Sequence, residues 1–166
     1  MRDPRPTPDL KICGITDLEQ AHAIAQMGVR AIGVIGVPAT PRFVEPAQRR
    51  ALFQLLEEEH PKLHRVWVVA DSDDAALEEA LNGAGQPSVV QLHGSESDER
   101  CQRLKQVYPR QQWWKALRVR EPEDLKQLEQ YAPHVDALLL DAWSADQLGG
   151  TGNRIPLDWI RETELT

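Results

Sequence analysis

Reactive side chains stand where the short apolar runs of this sequence end: Cys13 closes LKIC, Gln91 and His93 close SVVQLHG, Asp141 closes VDALLLDA, and Arg42 lies in the loop PATPRFV. A carboxyl and a thiol offer an acid and a base for successive proton transfers. Arginine adds a planar fork that suits an anionic group. Side chains two apart on a strand share a face, so Lys11 with Cys13, Val89 with Gln91 and His93, and Ala137 with Leu139 and Asp141 form one-sided rows that converge on a single rim. Plainer roles compete with each of these. Cys13 would also serve as a small buried hydrophobe, Asp141 as a turn cap, Arg42 as a solvated loop charge, and His93 as a partner for the start of the next helix. Cys101, inside a polar helical stretch, reads as structural, and Trp67, Trp113, Trp114, Trp143 and Trp159 read as packing residues.

The elements that must position these groups follow from period. Branched apolar runs alternate with segments of helical spacing, the pattern of parallel strands joined by helices. Strand-like runs begin at residues 10, 30, 64, 88, 113 and 135. Between them lie TDLEQAHAIAQMG, capped by Thr16 or Asp17 and ended at Gly28; AQRRALFQLLEEEH, with Pro46 at its first turn and Pro61 beyond its end; DDAALEEALNGAG; ESDERCQRLKQVYP; and EPEDLKQLEQYAP. IPLDWIRETELT holds the first turns of a sixth helix. The units are about 25 residues apart, a spacing shared by (β/α)8 barrels and doubly wound sheets. In either architecture the carboxyl ends of the strands carry the chemistry.

The 166 residues are 41% apolar and 27% charged, with 12 Pro and 10 Gly, which fits one soluble domain over residues 1–166. Lys and Arg number 19 against 26 Asp and Glu, for a net charge of −7, so neither nucleic acid nor an anionic membrane is an expected partner. An anionic ligand must be held by a local site. No apolar run approaches the roughly 18 residues of a membrane helix, and the opening MRDPRPTPDL is too polar for a secretory segment, so a cytoplasmic protein is expected. Two cysteines without a CxxC or a Cys/His cluster give no disulfide scaffold and no metal centre. The glycine-rich strings GVIG and GGTG lack the dinucleotide and P-loop patterns. GGTG, with Gly149, Gly150 and Gly152, reads as a substrate loop after the strand that bears Asp141.

Six strings, KICGIT, PATPRFV, VQLHG, KALRV, LLLDA and GGTGNRIPLDW, resemble in order and spacing those of the phosphoribosylanthranilate isomerases of tryptophan biosynthesis. The resemblance implies a (β/α)8 TIM barrel, of which about six of eight β/α units are present in this chain. It also implies no cofactor and a small sugar-phosphate substrate. The expected reaction is the Amadori rearrangement of N-(5-phosphoribosyl)anthranilate to 1-(2-carboxyphenylamino)-1-deoxyribulose 5-phosphate. The family's general base falls on Cys13 and its general acid on Asp141. Arg42 would meet the anthranilate end of the substrate, and Gln91 and His93 would line the same pocket.

Such a rearrangement needs an acid to protonate the ribose ring oxygen and open the ring to a Schiff base, then a base to take the C2 proton. One group must hold a proton and the other must have lost it, which calls for partial desolvation of the acid and a cation such as Lys11 or Arg42 near the thiol. The family's phosphate site lies in loops to which no residue here maps. The expectation is therefore a C-terminally incomplete barrel, weakly stable and weakly active alone, that self-associates through open strand edges or pairs with a complementary C-terminal fragment. The rival expectation is a non-catalytic remnant or split-gene fragment.

Overall fold

The computed structural model describes residues 8–144 and 154–161. Strands and helices alternate along the chain: β1 (Lys11–Cys13), α1 (Leu18–Gln26), β2 (Ala31–Ile35), α2 (Pro46–Glu59), β3 (His64–Val69), α3 (Asp74–Leu81), β4 (Val89–Leu92), α4 (Asp98–Val107), β5 (Gln112–Val119), α5 (Gln127–Tyr131), β6 (Ala137–Ala142) and α6 (Leu157–Arg161). The described residues divide into two compact units. One runs to Trp67 and adds Asp74–Ser88; the other joins Val68–Asp73 to the chain from Val89 onward. Within each unit, strands that are successive in sequence are hydrogen-bonded neighbours.

In the first unit β1 and β2 run parallel, with Lys11 opposite Ala31 and Cys13 opposite Gly33. Asp17 caps α1, accepting the Gln20 N–H at 2.9 Å, and Ala21 and Ala25 form the buried stripe. Helix α2 starts on Pro46, whose missing N–H costs nothing at that position, and buries Arg49, Leu52, Phe53 and Leu56, the spacing of one helical face. Arg49 lies 4.4 Å above the Trp67 ring. Burial, with Arg50 beside it, lowers the Arg49 pKa.

The second unit pairs β4 with β5 and β5 with β6, all parallel, in a register that sets Gln91 opposite Trp114 and Arg118 opposite Asp141. On one side of this ladder Leu117 and Val119 pack with Leu125 and Leu128, and Leu138 and Leu140 join them. Ser97 caps α4 by accepting the Arg100 N–H at 3.2 Å, and the helix buries Cys101 and Leu104. The segment expected as one fifth helix is instead a 3-10 turn at Pro122–Lys126, the short α5, and a second 3-10 turn at Ala132–His134. Its buried anchors Leu125 and Leu128 are three residues apart, which suits the tighter turn, while Pro122 and Pro133 bound the stretch.

A charge sits on the apolar face of β5. Lys115 occupies the row of Leu117 and Val119 yet is 2% exposed, and its Nζ donates at 2.8 Å both to the Glu96 carboxylate and to the Gly94 carbonyl. Glu96, also buried, accepts the backbone N–H of Asp71 at 2.8 Å and of Gly94 at 3.0 Å. Tyr131 closes the arrangement by donating its hydroxyl to the Glu96 carbonyl at 3.0 Å. The loop that directly follows His93 is thereby clamped to β5. Removing one partner of a buried, hydrogen-bonded pair strands the other charge, at a cost of about 3–5 kcal/mol. Lys115→Met should lower unfolding free energy by that amount in urea titrations, and Lys115→Met with Glu96→Gln should recover part of it. An unchanged midpoint in Lys115→Met would show the pair to be dispensable.

The two cysteines differ in the same sense as their surroundings. Cys101 is 0% exposed, and burial pushes its thiol up to about 11, whereas Cys13 is only half-buried. Alkylation of the native chain near neutral pH should modify Cys13 alone, with Cys101 reacting once the chain is unfolded; peptide mapping that found both labelled at similar rates would contradict this burial pattern.

Candidate active site

In the first unit Cys13 ends β1 and its thiol lies over Gly33, its ladder partner on β2. A Cβ at position 33 would stand 2.6 Å from Sγ, closer than any side chain permits, so the glycine supplies the room the thiol occupies. The next residue, Gly14, takes φ +85°, and the Arg42 side chain rests against it, with Nη1 2.7 Å from where a Cβ would be. The loop carrying Arg42 is held by a parallel bridge between Ile35 and Phe43, by Val44 N–H donating to Ile35 at 3.0 Å, and by Thr40 Oγ1 donating to the Val37 carbonyl at 3.0 Å. Arg42 is exposed and Cys13 half-buried, so both face accessible space. The fold thus lays the Arg42 side chain against the residue that directly follows Cys13. Lys11 shares the face of Cys13 two residues earlier, as the strand period requires.

The second unit gathers Gln91, His93 and Asp141. His93 lies just past the end of β4, and its Nε2 stands 3.0 Å from Asp141 Oδ2 on β6. Its Nδ1 is 3.4 Å from the amide nitrogen of Gln91. One neutral tautomer satisfies both contacts: Nε2–H donates to the carboxylate, and Nδ1 accepts from Gln91 at the long end of the hydrogen-bond range. His93 is anchored through its backbone as well, its N–H donating to the Val69 carbonyl at 2.7 Å. The Oε1 atom of Gln91 is buried with no hydrogen-bond partner among the described residues. A buried amide oxygen of this kind is a free acceptor for a ligand hydroxyl or N–H. The side chain of Asp141 is 26% exposed, so its carboxyl combines a fixed protein partner with access from outside.

Sequence reasoning missed three contributors. Arg118, within KALRV, sits directly opposite Asp141 in the ladder and so presents its side chain to the same face, with its guanidinium near Trp143. Period two places Arg118 off the apolar row of Leu117 and Val119, a signal readable in the sequence. Lys115 and Glu96 are the others, and the signal for Lys115 is a cation on that apolar row. Gly149, Gly150 and Gly152 lie outside the described residues.

A family model described as N-(5'phosphoribosyl)anthranilate (PRA) isomerase matches residues 10–165. The N-(5'-phosphoribosyl)anthranilate isomerase of Gloeobacter violaceus is 45% identical over 150 residues, which cover 90% of this chain and 65% of that protein. The enzyme of the same name from Synechococcus elongatus is also 45% identical, over 90% of this chain and 67% of its own length. Among solved structures, the phosphoribosyl anthranilate isomerase of Thermotoga maritima superposes with a TM-score of 0.74 at 28% identity, covering 86% of this chain and 65% of that one. A structure of the same enzyme type, in complex with reduced 1-(O-carboxyphenylamino)-1-deoxyribulose 5-phosphate, gives a TM-score of 0.71 at 28% identity over 83% of this chain and 66% of its own. The chain therefore spans about two thirds of the length of the proteins it matches, and its alternating parallel strands and helices are those of this barrel fold. On the extent of the family match and the identity to these relatives, the chain belongs to the N-(5'-phosphoribosyl)anthranilate isomerase family.

Proposed function

We propose that this chain carries the acid–base machinery of an Amadori isomerase acting on N-(5-phosphoribosyl)anthranilate in tryptophan biosynthesis, with Asp141 as general acid and Cys13 as general base. The observation that carries the reading is the 3.0 Å contact between His93 Nε2 and Asp141 Oδ2. With Oδ2 engaged by an imidazole N–H, Oδ1 is left to hold the proton that the ribose ring oxygen receives. Ring opening gives a Schiff base, and the C2 hydrogen becomes acidic through conjugation with it. Cys13 removes that hydrogen, and the resulting enolamine collapses to the ketose. Room over Gly33 lets the thiol approach carbon without displacing β2.

Substrate recognition in this reading divides by charge. Arg42, exposed on a loop fixed at both Ile35 and Gly14, meets the anthranilate carboxylate with its fork of N–H donors. Gln91, through its buried free carbonyl oxygen, and His93 orient the sugar portion. The phosphate must be bound by local donors, because a net charge of −7 offers no general attraction to an anion. The glycine string at 149–152 is proposed as a substrate loop after the strand that bears Asp141. The relative solved with a reduced product analogue supports a carboxyphenylamino sugar phosphate as the ligand class. The protein is proposed to act in the cytoplasm; none of the described helices is long and apolar enough to cross a membrane.

Turnover of N-(5-phosphoribosyl)anthranilate to the ketose product by the protein carrying this chain tests the assignment. Cys13→Ala and Asp141→Asn should each lower kcat by about 10²-fold or more, with a smaller change in KM, because each removes a proton transfer rather than a ground-state contact. Turnover near wild type in either variant would remove that residue from its role.

Arg42 should show the opposite split. Arg42→Ala should weaken substrate binding by about 1.5–3 kcal/mol, the scale of a charge-assisted hydrogen bond, and Arg42→Lys should restore only part of it because the bidentate geometry is lost. Unchanged affinity in Arg42→Ala, measured by equilibrium binding of a product analogue, would return this residue to the surface.

A further inference from the structure

We propose that His22, Glu59 and His60 form a binding site for a divalent transition cation of the zinc class, which ties α1 to the end of α2. All three belong to the first unit. His22 lies within α1, Glu59 is the last residue of α2, and His60 is its C-cap. One donor atom from each falls within 4.8 Å of the others. His22 Nδ1 and Glu59 Oε2 are 2.6 Å apart, and the two imidazole rings stand 5.5 Å centre to centre. The second observation concerns His60, whose Nε2 is buried and has no hydrogen-bond partner among the described residues. Buried ring nitrogens are ordinarily satisfied, and a metal ion satisfies a lone pair directly.

The donor set selects the cation. Two imidazoles and one carboxylate suit zinc, cobalt or nickel and disfavour calcium and magnesium, which prefer oxygen ligands throughout. In a tetrahedral zinc site, ligand atoms about 2.0–2.1 Å from the ion stand roughly 3.4 Å apart. To reach that spacing the His22–Glu59 pair, at 2.6 Å, must open while any pair near the 4.8 Å limit draws in, and Glu59, being exposed, has the room to move. The second shell is in place too. Gln26 meets His22 Nε2 at 2.7 Å, and turning its amide lets the oxygen accept from Nε2–H while Nδ1 binds the ion. The carbonyl end of α2, with its partial negative charge, adjoins the site.

A cavity of about 640 Å³, lined by Asp9, Arg30, His60 and Lys62 among others, borders the site at His60. Arg30 and Lys62 oppose a cation by charge, so affinity rests on direct ligation rather than on the local field. The site joins the middle of α1 to the C-terminal end of α2, whereas Cys13 and Arg42 belong to the end of β1 and the loop after β2, so its role is to brace the scaffold. This departs from the expectation of no metal centre. The ligands come from separate helices, 37 positions apart, and leave no local spacing in the sequence.

Titration of the untagged, chelator-treated 166-residue chain with Co2+, followed by visible d–d absorption and by competition with Zn2+, tests the proposal. Saturable binding at one equivalent is expected, together with a Zn2+-dependent rise in thermal midpoint. His22→Ala and His60→Ala should each weaken binding by about 10-fold or more and abolish the rise, while His134→Ala should change neither. Absence of saturable binding, or unchanged affinity in both histidine variants, would overturn the proposal. If a histidine variant fails to fold, Glu59→Gln, at an exposed position, decides: weakened Co2+ binding upholds the site and unchanged binding overturns it.

Discussion

The ammonium of Lys115 and the carboxylate of Glu96, 2.8 Å apart and both withdrawn from water, form the interaction on which the second unit is organised. An ion pair so buried gains little net stability over an apolar pair of similar volume. Its value lies in geometry. Glu96 gathers the backbone N–H groups of Asp71 and Gly94, Lys115 takes the Gly94 carbonyl, and the turn leaving β4 is left with one arrangement. His93 immediately precedes that turn. Its orientation toward Asp141 therefore rests on a charge pair on the opposite side of the strand layer, which makes the polar interior a positioning device for that contact.

Much of this architecture was legible from period alone. All six strands and five of the helices fall where branched runs and helical spacing place them, with boundary shifts of a few residues. Asp17, rather than Thr16, caps α1, a choice between neighbours that only backbone angles decide. The sequence predicts one helix after β5, whereas burial of Leu125 and Leu128, three residues apart, selects tighter turns there. His93, expected at the close of a strand, stands one residue beyond Leu92, where the ladder has given way to the turn.

Residue types near strand ends nominate Cys13, Arg42, Gln91, His93 and Asp141, and in the second unit the fold sets His93 against both Gln91 and Asp141. What could not be read was partnership. Nothing local says that the lysine of KALRV pairs with a glutamate 19 positions earlier, or that Arg42 lies along Gly14. Such contacts depend on how loops pack, and loop packing carries no period.

The thiol of Cys13 and the bare α-carbon of Gly33 share one volume. In evolutionary terms positions 13 and 33 behave as a single site with two addresses. A methyl group gained on β2 evicts the thiol from its place, and any change of side chain at the end of β1 is tolerated only within the space that a hydrogen atom leaves open. A lineage exploring larger side chains at the end of β1 would have to alter both strands together, so the thiol is held in place by a residue with no chemistry of its own.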